Sequence, residues 1–108
     1  MRIDEAVKVL EPVRDQLGAL WLAERNPDVR RVLLLIEKAI YGLRIVFLSE
    51  AAEGMAAPHW LEDSLQVLVK DAKYGPLDSL LYHAFEIGRD TNEFVKHLVA
   101  GDPTVDYD

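Results

Sequence analysis

The residues best suited to chemistry form one row near the C-terminal end of the chain. The row combines two histidines with three carboxylates at spacings of three, four or seven residues: His83, Glu86, Asp90, Glu93 and His97. Such spacings place neighbours on one face of an α-helix. Imidazole and carboxylate groups bind zinc, iron and manganese, so the row is a candidate metal site and would suit a metal-dependent enzyme.

The row matches known metal-binding helix bundles poorly. Carboxylate-bridged di-iron bundles use Glu-x-x-His pairs on facing helices, whereas here His83 precedes Glu86 and no other segment supplies an inward Glu-x-x-His. A charged row opposite a core stripe is ordinarily a solvated surface. We therefore predict no metal and no other cofactor.

Arginines form a second group of candidate functional residues. Arg25, Arg30 and Arg31 surround the first predicted turn between helices, and Arg14 projects into the apolar arc of the first helix. Guanidinium groups and helix N-terminal amides bind anions, so this group is a candidate anion site. The alternative is that Arg14 lays its alkyl stem along the core edge, while the others pair with acidic neighbours such as Glu24 and Asp28.

Signatures of other catalytic classes are missing from the sequence. There is no glycine-rich phosphate loop, no Gly-x-Ser-x-Gly, no His-Glu-x-x-His and no cysteine. The lack of cysteine excludes disulfides and thiol catalysis and is compatible with a reducing compartment, so we expect a cytoplasmic protein. These observations favour a protein without catalytic activity.

The overall charge and hydropathy exclude further classes of partner. The 108 residues include 19 acidic and 12 basic side chains, for a net charge of −7, which repels nucleic-acid phosphates. The most apolar segment, residues 32–48, is interrupted by Glu37, Lys38 and Arg44 and is too short to span a membrane. We expect neither nucleic acid nor membrane as a partner.

Periodicity and capping signals predict four helices. The first covers residues 3–24, and its apolar positions stay on one face of the helix before and after Pro12. Pro12 should therefore kink the helix without ending it. Asn26-Pro27-Asp28 starts a long second helix that can continue to Glu53. A third helix ends near Tyr74-Gly75, and a fourth begins at Pro76 and ends before Gly101.

These helices predict an all-α fold. The short connections favour consecutive antiparallel helices, so we expect an antiparallel four-helix bundle with a kinked first helix and a long, largely buried second helix. Residues 1–101 form a single domain, and residues 102–108 form an acidic tail. Of the glycines inside helices, Gly88 lies in the core arc and predicts close helix packing, while Gly42 borders a surface stripe and could admit a partner.

The second helix carries two apolar stripes. One broad arc forms the bundle core, and a narrower stripe on the opposite side consists of Leu34, Tyr41, Ile45 and Leu48. Charged residues border this stripe: Glu37 and Arg44 on one edge and Lys38 on the other. A charge-bordered apolar strip is typical of an interface, most often between two copies of a chain. Alternatively, helix one or the C-terminal tail covers it.

Together these patterns predict a noncatalytic protein–protein interaction module that forms a homodimer through the second stripe. Two alternatives stay open. The acidic surface could serve an inhibitor or immunity-type protein that blocks a basic nucleic-acid-handling enzyme. The histidine and carboxylate row could serve a metal-dependent enzyme.

Overall fold

A computed structural model of the chain describes residues 1–48 and 56–100, with the side chains of residues 47, 48 and 100 excepted. It contains four helices: α1 (Ile3–Glu24), α2 (Pro27–Leu48), α3 (His59–Tyr74) and α4 (Leu77–Ala100). The all-α four-helix fold predicted from the sequence is therefore confirmed. The predicted end of the second helix at Glu53 and the tail at 102–108 lie outside the described residues.

The junction between α1 and α2 follows the predicted capping chemistry. Arg25 adopts the left-handed conformation with φ 53°, and its N–H donates to the Trp21 carbonyl oxygen at 2.8 Å. The Asn26 side-chain oxygen then accepts a hydrogen bond from the Asp28 N–H at 2.9 Å. This is the N-cap expected of an asparagine before Pro27 at the first helical position. Helix α1 is continuous through Pro12, as the unbroken apolar face of this segment predicted.

Consecutive helices run antiparallel, but sequence neighbours are not always neighbours in space. Helices α1 and α2 form one hairpin, and α3 and α4 form another. The hairpins stack so that α1 packs on α3 and α2 packs on α4. Asn92 Nδ2 of α4 donates to the Leu35 carbonyl oxygen of α2 at 3.3 Å, and Gln16 Nε2 of α1 donates to the Ala72 carbonyl oxygen of α3 at 3.1 Å. Helices α2 and α4 are therefore parallel neighbours.

The core is drawn from all four helices. Its fully buried large side chains on α1, α2 and α3 recur at helical spacings: Ile3, Leu10, Leu17, Val29, Ile36, Ile40, Leu43, Leu61, Leu65 and Leu68. Helix α4 adds the fully buried Thr91 and four buried apolar side chains: Leu80, Ala84, Ile87 and Phe94. Burial of such a face is the main force that holds a helix of this length in place. None of the helices in the described residues is both long and apolar enough to cross a membrane.

Two glycines allow α2 and α4 to approach closely. A Cβ added at Gly88 would lie 3.0 Å from Leu35 Cβ, which confirms the close packing expected there. A Cβ added at Gly42 would lie 2.9 Å from Val95 Cγ1. The space beside Gly42 is thus taken by α4 of the same chain, and the interpretation of Gly42 as room for a partner was wrong. The cause is the parallel packing of α2 on α4, which helix periodicity does not specify.

Candidate interaction surface

The second stripe of α2 is open to solvent. Leu34 is 49% exposed, Tyr41 67% and Ile45 46%. Their exposure contrasts with the complete burial of Ile36 and Leu43 on the opposite side of the same helix. The side chain of Leu48, the fourth residue predicted for this stripe, lies outside the described residues. We call Leu34, Tyr41 and Ile45 the α2 stripe.

The stripe is exposed because the two neighbours of α2 pack on its flanks. On one flank, Arg44 Nη2 contacts Glu11 Oε2 of α1 at 3.0 Å. On the other flank, Gly42 and Leu35 meet Val95 and Gly88 of α4. Helix α1 therefore does not cover the stripe. Coverage by helix one, which was one of the two alternatives to an interface, is thus excluded. The other alternative, coverage by the acidic tail, concerns residues that the structure does not describe.

An open groove adjoins the stripe. It lies between α2 and α4 and has a volume of about 870 Å³. Tyr41 and Leu35 line its α2 side, and Val95 and Val99 line its α4 side. Val99 is 70% exposed. The apolar surface thus extends from one helix onto a second, which a single-helix projection could not predict.

Charged side chains border this apolar surface. Lys38, Arg89 and Lys96 lie around the groove, together with Glu93. Helix α2 carries four basic and two acidic side chains in a chain whose net charge is −7. The apolar surface is therefore bordered mainly by cations, unlike the chain as a whole.

Glu37 and Arg44 lie one heptad apart on the α1 edge of the stripe. Arg44 is half exposed and pairs with Glu11. Glu37 is exposed and makes no ion pair within residues 1–48 and 56–100. A guanidinium has five N–H donors, so Arg44 keeps capacity for a second carboxylate.

Three members of the row of histidines and carboxylates on α4 have partners outside the row. His83 Nδ1 pairs with Asp71 Oδ2 of α3, and Asp90 Oδ1 accepts from Arg89 Nε at 3.1 Å. The Tyr82 hydroxyl donates a hydrogen bond to the Glu86 carboxylate, and this bond together with the carboxylate charge raises the pKa of Tyr82. In the part of the chain that the structure describes, no three histidine or acidic side chains are placed to hold a metal ion.

The pairing of His83 with Asp71 was missed by sequence reasoning. A histidine oriented by a carboxylate is an arrangement that general bases use. Ser64 lines the same small cavity of about 120 Å³ as His83. However, no hydrogen bond joins Ser64 to His83 among the described residues, so no nucleophile is paired with this histidine. The contact joins α3 to α4.

The four candidate anion-binding arginines are engaged within the chain. Arg14 is partly buried and contacts Asp15 at 3.1 Å and Glu11 at 3.9 Å. Arg31 pairs with Asp28 at 2.5 Å. The guanidinium carbons of Arg25 and Arg30 lie 5.3 and 5.7 Å from the centre of the Trp21 ring.

The contacts of these four arginines within the chain do not test the anion site, which stays a prediction from the sequence. The role of Trp21 was missed, although its spacing of four residues from Arg25 was a usable signal. The contact of Arg30 with the same ring depends on the turn between α1 and α2 and could not be read from helix spacing.

Comparisons with known proteins give no relative for this chain. No protein-family model matches it, and no curated protein and no solved structure resembles it significantly. The function must therefore be argued from the surface itself.

Proposed function

We propose that this protein is a noncatalytic helical interaction module that associates with a second copy of itself through the α2 stripe. The observation that carries the proposal is the exposure of Leu34, Tyr41 and Ile45 on the same helix that supplies the bundle core. An isolated bundle needs one apolar face on each helix, so the second face calls for a separate explanation.

The energetic argument rests on apolar area. Removing apolar surface from water contributes about 25 cal/mol per Å², so hiding a half-exposed leucine or isoleucine contributes on the order of 1 kcal/mol. In a two-fold dimer every such contribution occurs twice. The adjoining groove adds Val95 and Val99 to the same surface. A stripe and groove of this kind can drive association of two copies.

The charges at the border favour self-association. A basic residue, Arg44, lies on the same edge of the stripe as Glu37, an acidic residue that has no ion pair within the described part of the chain. An isologous interface brings one patch against an identical patch, so it is favourable when the patch contains both members of each charge pair. The edge of α2 that carries Glu37 and Arg44 contains one acidic and one basic member and therefore meets this condition.

Sedimentation equilibrium tests the proposal. We expect the wild-type protein to show a monomer–dimer equilibrium between about 1 µM and about 1 mM, the range of weak to moderate interfaces. Ile45→Glu should weaken dimerisation by about tenfold or more, because each dimer would bury two carboxylates in an apolar contact. Circular dichroism should report unchanged helicity, since Ile45 is 46% exposed in the monomer.

Leu22→Glu is the matched control. Leu22 is an apolar side chain of the same size, is 66% exposed and lies on α1, away from the stripe. This variant should dimerise like the wild type. A wild-type protein that stays monomeric up to about 1 mM would overturn the proposal. Equal weakening by both substitutions would show that the stripe is not the contact.

A further inference from the structure

The α2 stripe, taken together with Lys38 on its border, follows the spacing of a coiled-coil seam. Leu34, Lys38, Tyr41 and Ile45 recur at intervals of four, three and four residues. In a heptad labelled a to g, Lys38 and Ile45 take position a, and Leu34 and Tyr41 take position d. Glu37 and Arg44 then both take position g. Leu35 and Gly42 both take position e, on the side that packs on α4.

The two possible two-fold pairings bring different edges together. If two α2 helices pair in parallel, the two-fold axis runs along them, and the g edge of one helix meets the e edge of the other. If they pair antiparallel, the axis is perpendicular to the plane of the two helices, and each g edge meets the g edge of the second copy. The residues on the two edges therefore decide the orientation.

The charges of Glu37 and Arg44 favour the antiparallel pairing. With antiparallel helices, Glu37 of each copy opposes Arg44 of the other, which forms two pairs of opposite charge across the dimer. With parallel helices, the edge of Glu37 and Arg44 would instead meet the side of α2 that packs on α4, so the two residues would not pair with each other. Glu37 has no ion pair within its own described chain, so its carboxylate is available for this contact.

Lys38 gives an independent argument for the same orientation. A parallel pair places position a against position a, so two Lys38 ammonium groups would meet within the seam. An antiparallel pair places a against d, and Lys38 then packs against Tyr41 of the second copy, where its charge can lie over the ring. The flanking layers pair Leu34 with Ile45. A single lysine at an a position is a known means of specifying register.

We infer that two copies of this chain associate with their α2 helices antiparallel, with Leu34 against Ile45, Lys38 against Tyr41 and Glu37 against Arg44. The inference rests on the proposed function, because it assigns the geometry of the same interface. The inference specifies the orientation of the two α2 helices and the residues that pair between them, neither of which follows from self-association alone.

Cysteine cross-linking tests the register, because the chain has no cysteine of its own. Leu34→Cys and Ile45→Cys are prepared separately, confirmed as dimers by sedimentation, and oxidised alone and as an equimolar mixture. The antiparallel register places the thiol of the Leu34→Cys copy beside the thiol of the Ile45→Cys copy. Identical positions lie about 16 Å apart at a rise of 1.5 Å per residue, well beyond the reach of a disulfide. We therefore expect cross-linked dimer in the mixture and not in either variant alone.

The other outcomes separate failure of the register from failure of the function. A parallel pair would bring identical positions together, so strong self-linking of Leu34→Cys would overturn the inference and leave self-association intact. A dimer that yields no cross-linked product in any combination would place the contact on another surface and overturn both claims. A monomeric wild type would remove the proposed function itself.

Charge exchange provides a second, independent readout. Glu37→Arg and Arg44→Glu should each weaken self-association by about three- to tenfold, since both put like charges together at two places in the dimer. Mixing the two variants restores opposite charges at both places, so they should associate with each other as well as the wild type does. A mixture that associates no better than either variant alone would overturn the antiparallel pairing.

Discussion

At the scale of single residues, Gly88 and Gly18 have different surroundings, although both lie inside helices. A Cβ added at Gly88 would lie 3.0 Å from Leu35 Cβ and 3.4 Å from the Leu35 backbone carbonyl carbon. Among the described residues, a Cβ added at Gly18 would meet no atom within 4 Å beyond its chain neighbours and the backbone of its own helix. The same substitution should therefore have opposite effects at these two positions.

We predict that Gly88→Ala lowers the free energy of unfolding by roughly 1 to 3 kcal/mol, because the added methyl group forces α2 and α4 apart. Gly18→Ala should raise it by up to about 1 kcal/mol, because alanine favours the helix and meets open space. Urea denaturation of the two variants and the wild type measures both effects. A stabilising Gly88→Ala would contradict the packing described here.

At the scale of the helices, much of the fold could be predicted from the sequence. The bounds of α1, the start of α2 at Asn26-Pro27 and the end of α3 near Tyr74 follow from periodicity and capping, which are local properties of the chain. The exposure of Leu34, Tyr41 and Ile45 also follows, because they project opposite the core arc of the same helix.

Contacts between helices could not be predicted in the same way. The pair His83–Asp71, the packing of Val95 on Gly42 and the groove between α2 and α4 all depend on which helices are neighbours in space. Several arrangements satisfy the same apolar stripes and short connections, so helix spacing alone does not choose among them. The part of the surface on α4 was missed for this reason.

The contact between α3 and α4 gives a prediction at this scale. Asp71→Asn should lower the free energy of unfolding by about 1 kcal/mol, the typical net contribution of a hydrogen bond. His83→Gln should have a similar effect, and the double variant should lose less than the sum, because both remove one interaction. Asp63→Asn, which changes an exposed carboxylate on the same helix, is the control and should change stability by less than about 0.5 kcal/mol. Additive losses would indicate that the two side chains act separately.

At the scale of the whole molecule, the stacking of two hairpins explains why one face of α2 is left open. Helix α1 covers one flank of α2 and α4 covers the other, and α3 lies diagonally across the core. The core arc is buried by this arrangement, whereas the α2 stripe points away from all three neighbours among the described residues. The open face is thus a consequence of the architecture.

The most direct test of this account is isotope-filtered nuclear magnetic resonance on a mixture of labelled and unlabelled protein, which detects contacts between copies alone. We predict intermolecular nuclear Overhauser effects between the methyl groups of Leu34 in one copy and Ile45 in the other, and their loss in Ile45→Glu. An absence of intermolecular signals at Leu34, Tyr41 and Ile45 at millimolar concentration would contradict the claim that the α2 stripe is where two copies meet.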